Sequence, residues 1–210
     1  MRTAFPDIVT SNNKTMPEGK VSYEEFLDWL DEDTLAEWVD GEIIIKPLPS
    51  IRHQNLAKFL LMLINQYVEL NELGEVIIAP FQMKLITGRE LDIIFVSKEH
   101  LGRIKDTFID GPADMVVEIV SPESMVRDRG EKYFEYESGG VPEYWLIDPI
   151  REQAEFYRLG EDKHYHTILP NEDGIYHSEI IKGFWINVSW LWKEPLPKIS
   201  DICREFDILR

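Results

Sequence analysis

Of 210 residues only one is a cysteine, and that scarcity removes two structural classes at once. Cys203 cannot close an intramolecular disulfide and lies far from any Cys/His cluster, so neither a disulfide framework nor a zinc site is available. Long apolar runs are missing too. No stretch approaches the roughly 18 to 20 residues that a membrane span requires, so no membrane partner is expected. The opening MRTAFPDIVTSNNK lacks the apolar centre of a signal peptide, which points to a cytoplasmic setting. Internal repeats and low-complexity tracts are absent. Basic residues are scarce: 22 Lys and Arg against 39 Asp and Glu leave a net charge of -17. A protein that grips duplex DNA through many phosphates normally carries a basic footprint. The deficit is uneven, because residues 81–132 hold eight basic against ten acidic side chains and most of the excess acid lies elsewhere. Divalent metal held by carboxylates of that middle segment would make the local field favourable to phosphate. Affinity for nucleic acid is then expected to be modest and salt-sensitive.

What is present reads as one α/β domain. The length suits a full core, and 44% hydrophobic with 29% charged residues is ordinary globular composition. Residues 1–20 read as a loose N-terminal arm and 21–210 as a single domain, with a core over about 22–160 and a β extension over about 161–210. Ser22 and Glu25 form a capping box with a Val21/Phe26 staple, which starts a short helix at Tyr23 that ends near Asp31. Asp40-Gly41 between EWV and EIII gives a two-residue hairpin signal. Leu56, Phe59, Leu60, Leu63, Ile64 and Tyr67 recur at helical spacing and predict a long amphipathic helix over about 52–70. Strand-like runs follow at 75–79, 82–86, 91–96 and 115–120, the last two apolar enough for burial on both faces. A helix over about 124–138 should stop at Gly139-Gly140, and Tyr144 to Ile147 reads as a further strand. Aromatic-rich β segments and a short helix near Ile199 complete the chain.

Two acidic residues stand inside apolar strand runs, Asp92 in LDIIFV and Glu118 in MVVEIV. A carboxylate there loses solvation and must be paired, hydrogen-bonded or metal-bound. Taken singly, each reads equally well as a buried salt bridge to Arg89 or Arg129. On neighbouring strands the pair could aim at one point, where Mg²⁺ or Mn²⁺ would take their oxygens, a backbone carbonyl such as that of Ile119, and water. Alternation puts Glu118 and Val120 on one face. A lysine at 120 would face such an ion; because this chain has Val120, the positive charge must come from elsewhere. Lys132 is the candidate, since Asp128, Lys132 and Tyr136 fall at i, i+4 and i+8 of the following helix. A solvated Asp/Lys pair is the competing reading. Arg127 and Arg129 could bind substrate backbone or simply pair with Asp128 or Glu131. Tyr133 and Tyr136 suit packing on the sheet better than stacking on bases. Trp185, Trp190 and Trp192 could cover a dimer surface or close the C-terminal β layer.

The stretches EWVDGEIII from Glu37, IRHQNLAKFL from Ile51, RELDIIFVS from Arg89 and GPADMVVEIVSPESMVRDRGEKYFEYESGGVPEYWLIDP from Gly111 together resemble the Uma2 family. That family is a domain of unknown function common in cyanobacteria, within the PD-(D/E)xK, restriction-endonuclease-like superfamily. The resemblance covers roughly residues 22–160. It implies a mixed central β-sheet flanked by helices, divalent-metal phosphodiester chemistry, and a migrated catalytic lysine on the helix after the glutamate strand. By that likeness Asp92 and Glu118 are metal ligands, Lys132 is the catalytic lysine, and Glu37 holds a second metal or its water. His53 matches a family histidine and, with Arg52 at the helix N-terminus, could contact phosphate; otherwise it is a surface histidine. Likeness to other nuclease folds also suggests Gln82 at the site. The family's first acidic motif usually reads Pro-Asp where this chain has Leu91-Asp92, a change of strand entry and not of carboxylate. The expected function is a Mg²⁺-dependent DNA endonuclease leaving a 5′-phosphate, with a homodimer suited to duplex cleavage. The rival is a nuclease-fold module without turnover that binds nucleic acid or a partner protein.

Overall fold

A computed structural model describes residues 14–31, 34–122 and 125–205. Ser22 caps helix α1 (Tyr23–Trp29) through the reciprocal Ser22/Glu25 box, and Val21 packs against the cluster containing Phe26. Of the arm expected over 1–20, residues 1–13 lie outside the described residues. Lys14 hydrogen-bonds the Asp28 carbonyl and Met16 packs beside α1, so the described part of that segment is tied down.

β1 (Ala36–Val39) and β2 (Glu42–Ile45) form the expected hairpin, with Asp40 at φ 50° and Gly41 at φ 89°, the paired positive values of a turn that matches strand twist. Helix α2 (Ile51–Leu70) starts at Ser50, whose hydroxyl accepts the His53 N–H at 3.2 Å. β3 (Gly74–Ile78), β4 (Gln82–Lys84), β5 (Gly88–Glu90), β6 (Ile93–Ser97), β7 (Phe108–Asp110) and β8 (Met115–Ile119) follow. Two of these strands, β5 and β7, are absent from the sequence reading. Every residue of β5 is buried and none is hydrophobic, so its strand character comes from pairing with β1 and β4.

The helix expected over 124–138 is divided at Gly130 (φ -116°, ψ -90°) into α3 (Met125–Arg129) and α4 (Glu131–Gly139); Ser124 lies outside the described residues. Gly140 closes α4 at φ 82°. The remaining elements are β9 (Glu143–Asp148), β10 (Gln153–Leu159), β11 (Tyr165–Thr167), β12 (Ile175–His177), β13 (Trp185–Asn187) and α5 (Ile199–Glu205).

The central sheet has six strands in the order β11-β10-β9-β8-β6-β3, antiparallel except for the parallel β8/β9 pair. Alternation gives it two apolar faces. Ile93, Phe95, Val117, Ile119, Trp145 and Ile147 meet α2, while Ile94, Val116, Val120 and Leu146 meet Tyr136 of α4 and Met83 of β4. A second mixed sheet, β2-β1-β5-β4-β7, stands beside α1 and α4, and β12/β13 pair separately. Phe184, Ile186, Trp190 and Leu191 share one hydrophobic cluster with α2 and Trp145. Among the described residues, no helix is long and apolar enough to cross a membrane.

Candidate active site

The β6/β8 register pairs Ile93 with Val117, and one residue further it sets Asp92 beside Glu118. The run 91–96 predicts Asp92 inside a strand, whereas the structure starts β6 at Ile93 and leaves Asp92 in the bend before it. That bend lets the carboxylate fold onto the neighbouring strand: the Ile119 N–H donates to Asp92 Oδ2 at 2.7 Å. His53 Nε2, from the first turn of α2, lies 3.2 Å from the same oxygen.

Glu118 Oε1 faces Lys132 Nζ at 2.8 Å and accepts the Tyr136 hydroxyl at 2.7 Å. Lys132 Nζ also lies 3.2 Å from Asp128 Oδ1 and 3.3 Å from Glu37 Oε1. The i, i+4, i+8 alignment of Asp128, Lys132 and Tyr136 thus survives the break at Gly130, and the solvated Asp/Lys reading is replaced by a buried network. Glu37, on β1, is bridged from its other oxygen by Arg89 at 3.0 Å. Arg89 reaches on to Glu135 from both Nε (2.8 Å) and Nη2 (2.5 Å). The buried cations therefore serve Glu37 and Glu118; the salt bridge of Asp92 or Glu118 to Arg89 or Arg129 is not what forms. A cavity of about 530 Å³ opens onto this cluster, lined by Glu37, Lys46, His53, Asp92, Glu118 and Lys132 among others.

Burial and charge pull these groups in opposite directions. Burial pushes the Glu118 carboxyl up to about 7 despite the nearby Lys132, with Asp128 and Asp92 adding to the rise. For Glu37 burial raises the value but Lys132, Lys46 and Arg89 outweigh it, and the carboxyl is held at about 2. Asp92 is likewise held below the usual carboxylate range, because His53, Lys46 and the Ile119 N–H exceed the cost of burial. Lys132 is desolvated, yet Glu118, Glu37 and Asp128 lift it well above the ordinary lysine value, so it stays protonated. Burial lowers His53, and the hydrogen bond and charge of Asp92 more than restore it.

The other expected residues divide. Arg52, His53, Ile119 and Arg127 line the cavity. Arg52 is anchored there by the Leu191 carbonyl at 2.9 Å and Glu194 at 3.3 Å, and Arg127 Nε is buried without a hydrogen-bond partner among the described residues. Gln82 does not line the cavity; its Nε2 donates to the Ala36 carbonyl at 2.9 Å and ties β4 to β1. Arg129 turns to Asp148 (3.3 Å) and Glu155 (2.7 Å), not to Asp128 or Glu131. Tyr136 is fully buried behind Glu118, where a base could not stack on it. Lys46 and Glu90, paired at 3.2 Å, line the same cavity and were not singled out in the sequence. Glu90 carried a signal, as a second carboxylate two positions before Asp92 in RELD; Lys46 carried none beyond its place after the β2 run.

Fold and site together define an α/β protein with a mixed central sheet and a cavity lined by buried carboxylates and lysines. A crystal structure of "a putative nuclease belonging to DUF820" from Anabaena variabilis ATCC 29413 superposes with a TM-score of 0.69 at 18% identity, over 82% of this chain and 97% of that one. At that identity the likeness is one of fold. No curated protein matches the chain. Residues 23–189 match the model of the Uma2 family, described as "putative restriction endonuclease", and the chain belongs to that family.

Proposed function

We propose that the protein is a divalent-metal-dependent endonuclease that hydrolyses phosphodiester bonds of DNA. The observation that carries this reading is the convergence of Asp92 and Glu118 on one cavity wall with Lys132 behind them.

The residues fit Mg²⁺ or Mn²⁺. The described partners of Asp92 meet Oδ2 and those of Glu118 meet Oε1, so Asp92 Oδ1 and Glu118 Oε2 are the donors an ion would take. Among the described residues no three His, Cys, Asp or Glu side chains form a ready ligand group, so the Ile119 carbonyl and water would complete the shell. The elevated Glu118 carboxyl marks a buried acid that Lys132 alone does not neutralise, the deficit a cation would fill. When bound, the ion supplies Lewis acidity toward the phosphate and makes water there more acidic.

The chain's own groups do the rest. The Ile119 N–H and His53 fix Asp92; Lys132 and the Tyr136 hydroxyl fix Glu118. Lys132, held protonated by three carboxylates, orients the attacking water's surroundings and does not take its proton. Arg52, His53 and Arg127 offer positive charge to the DNA backbone along the cavity. In-line attack would leave a 5′-phosphate.

The test is incubation with single-stranded, duplex and branched DNA in Mg²⁺ and separately in Mn²⁺, with Glu118→Ala beside wild type. Cleavage that falls by about two to three orders of magnitude in the variant is the expected result. The net charge of -17 and the apolar burial of Val120 motivate the alternative, a binding module without turnover. No cleavage on any substrate, together with unchanged DNA binding by Glu118→Ala, would establish that alternative instead.

A further inference from the structure

Lys132 is the lysine that helical spacing singles out, yet its ammonium is already engaged. Its side chain is 3% exposed and its Nζ faces Glu118, Asp128 and Glu37 within 3.3 Å. An ammonium carries three N–H donors; here one is hydrogen-bonded to Glu118, and Asp128 and Glu37 crowd the same nitrogen at ion-pair distance. A second lysine lines the same cavity. Lys46 directly follows β2, with its own N–H held by the Leu35 carbonyl at 2.8 Å, so its backbone is anchored at the cavity wall. Its Nζ contacts Glu90 alone among the described residues, through Oε1 at 3.2 Å and the backbone carbonyl at 3.3 Å. Two contacts leave a third N–H, and the side chain is 17% exposed, more than five times the value for Lys132. It lines the same cavity as Asp92 and Glu118.

We propose that Lys46 is a catalytic residue, the ammonium that meets the non-bridging oxygens of the scissile phosphate. The inference rests on the hydrolytic reading above and deepens it. Lys46 acts as a fixed point charge toward oxygens that gain negative charge as the new bond forms, and no proton leaves it. Glu90 fits the part of its holder: it is 1% exposed, gives Lys46 one carboxylate oxygen, and keeps the ammonium at the wall without drawing it into the three-carboxylate cluster around Lys132.

Removing Lys46 alone would strand a buried carboxylate, so the decisive variant is Lys46→Met combined with Glu90→Gln, which removes both charges together. Glu90→Gln alone is the control, and a cooperative thermal melt verifies that each variant folds. Two readouts are taken: kcat on the best DNA substrate in Mg²⁺, and the affinity for a short fluorescent duplex in Ca²⁺ across a salt series. The double variant is expected to lose at least about a hundredfold in kcat and to lower the salt slope by about one, the signature of one lost phosphate contact. Glu90→Gln should retain the wild-type slope. Wild-type kcat and slope in the double variant would overturn the assignment while leaving the hydrolytic reading intact. If no protein cleaves but the slope still falls, the hydrolytic reading and the catalytic role of Lys46 both fail, and Lys46 is a phosphate-binding residue only. Absence of both cleavage and binding in the wild type would overturn both.

Discussion

At the residue scale the site is a set of buried charges whose partners determine what each can do. Lys132 has three carboxylate neighbours and is 2% exposed. Lys132→Met is therefore expected to cost about 3 to 5 kcal/mol, the penalty for stranding buried charge, read as a lower urea midpoint. His53 touches Asp92 and not a surface, so His53→Ala should weaken Mn²⁺ binding by about 10- to 100-fold in calorimetric titration, as loss of an orienting partner does. The two shifted glutamates give opposite pH signatures. Glu37, held at about 2, contributes stability that is present above the ordinary carboxylate range and lost as pH falls toward 2. Glu118, raised from 4.5 to about 7, binds its proton more tightly when folded, so ionising it removes stability as pH climbs through that window. In chelator, Glu118→Gln should lack the decline that wild type shows between about pH 5 and 7. Asp92, Glu118 and Lys132 were legible because charge inside an apolar run, or at i+4 from another charge, is a local anomaly. Lys46 was not, because a lysine after a strand is ordinary until the fold seats it in a cavity.

At the scale of elements, local chemistry and distant pairing had separate shares. The capping box, the Asp40-Gly41 hairpin and the apolar stripe of α2 are written in contiguous residues, and their positions follow from turn and helix geometry. β5 could not be read that way: Gly88, Arg89 and Glu90 have no apolar alternation, and only β1 and β4 on either side make them a strand. Two glycines separate backbone cost from steric cost. A Cβ at Gly140 would meet nothing within 4 Å, so Gly140→Ala should cost only about 1 kcal/mol for the left-handed φ of 82°. At Gly74, φ is 158° and a Cβ would sit 2.1 Å from the Val96 carbonyl oxygen, forcing β3 off β6. Gly74→Ala should lower the melting temperature clearly more than Gly140→Ala in paired thermal melts.

For the whole molecule, core continuity is the governing fact. Tyr176, Phe184, Ile186, Trp190 and Leu191 lie in the same buried cluster as α2 and Trp145, and Glu143 accepts hydrogen bonds from Tyr176 and Ser178 at 3.0 and 3.1 Å. A chain ending at Leu169 would expose that face of α2 and the sheet, and is expected to show no cooperative melt. Trp185 and Trp192 pack against this cluster, so the tryptophans close the C-terminal layer.

The sequence by itself determined the α/β class, the hairpin, the main helix and the identity of the acids that needed partners. Each of these depends on periodicity or on an anomaly within a few neighbouring residues. The tertiary structure alone decided which partners those acids received. Asp92 took His53 and the Ile119 N–H, Arg89 went to Glu37 and Glu135, Gln82 went to the Ala36 carbonyl, and Lys46 came to the cavity wall. The physical reason is that desolvation tells a buried charge that it must be compensated, while only the packing of α2, β1, β8 and α4 around one cavity determines which donor comes within 3 Å or so.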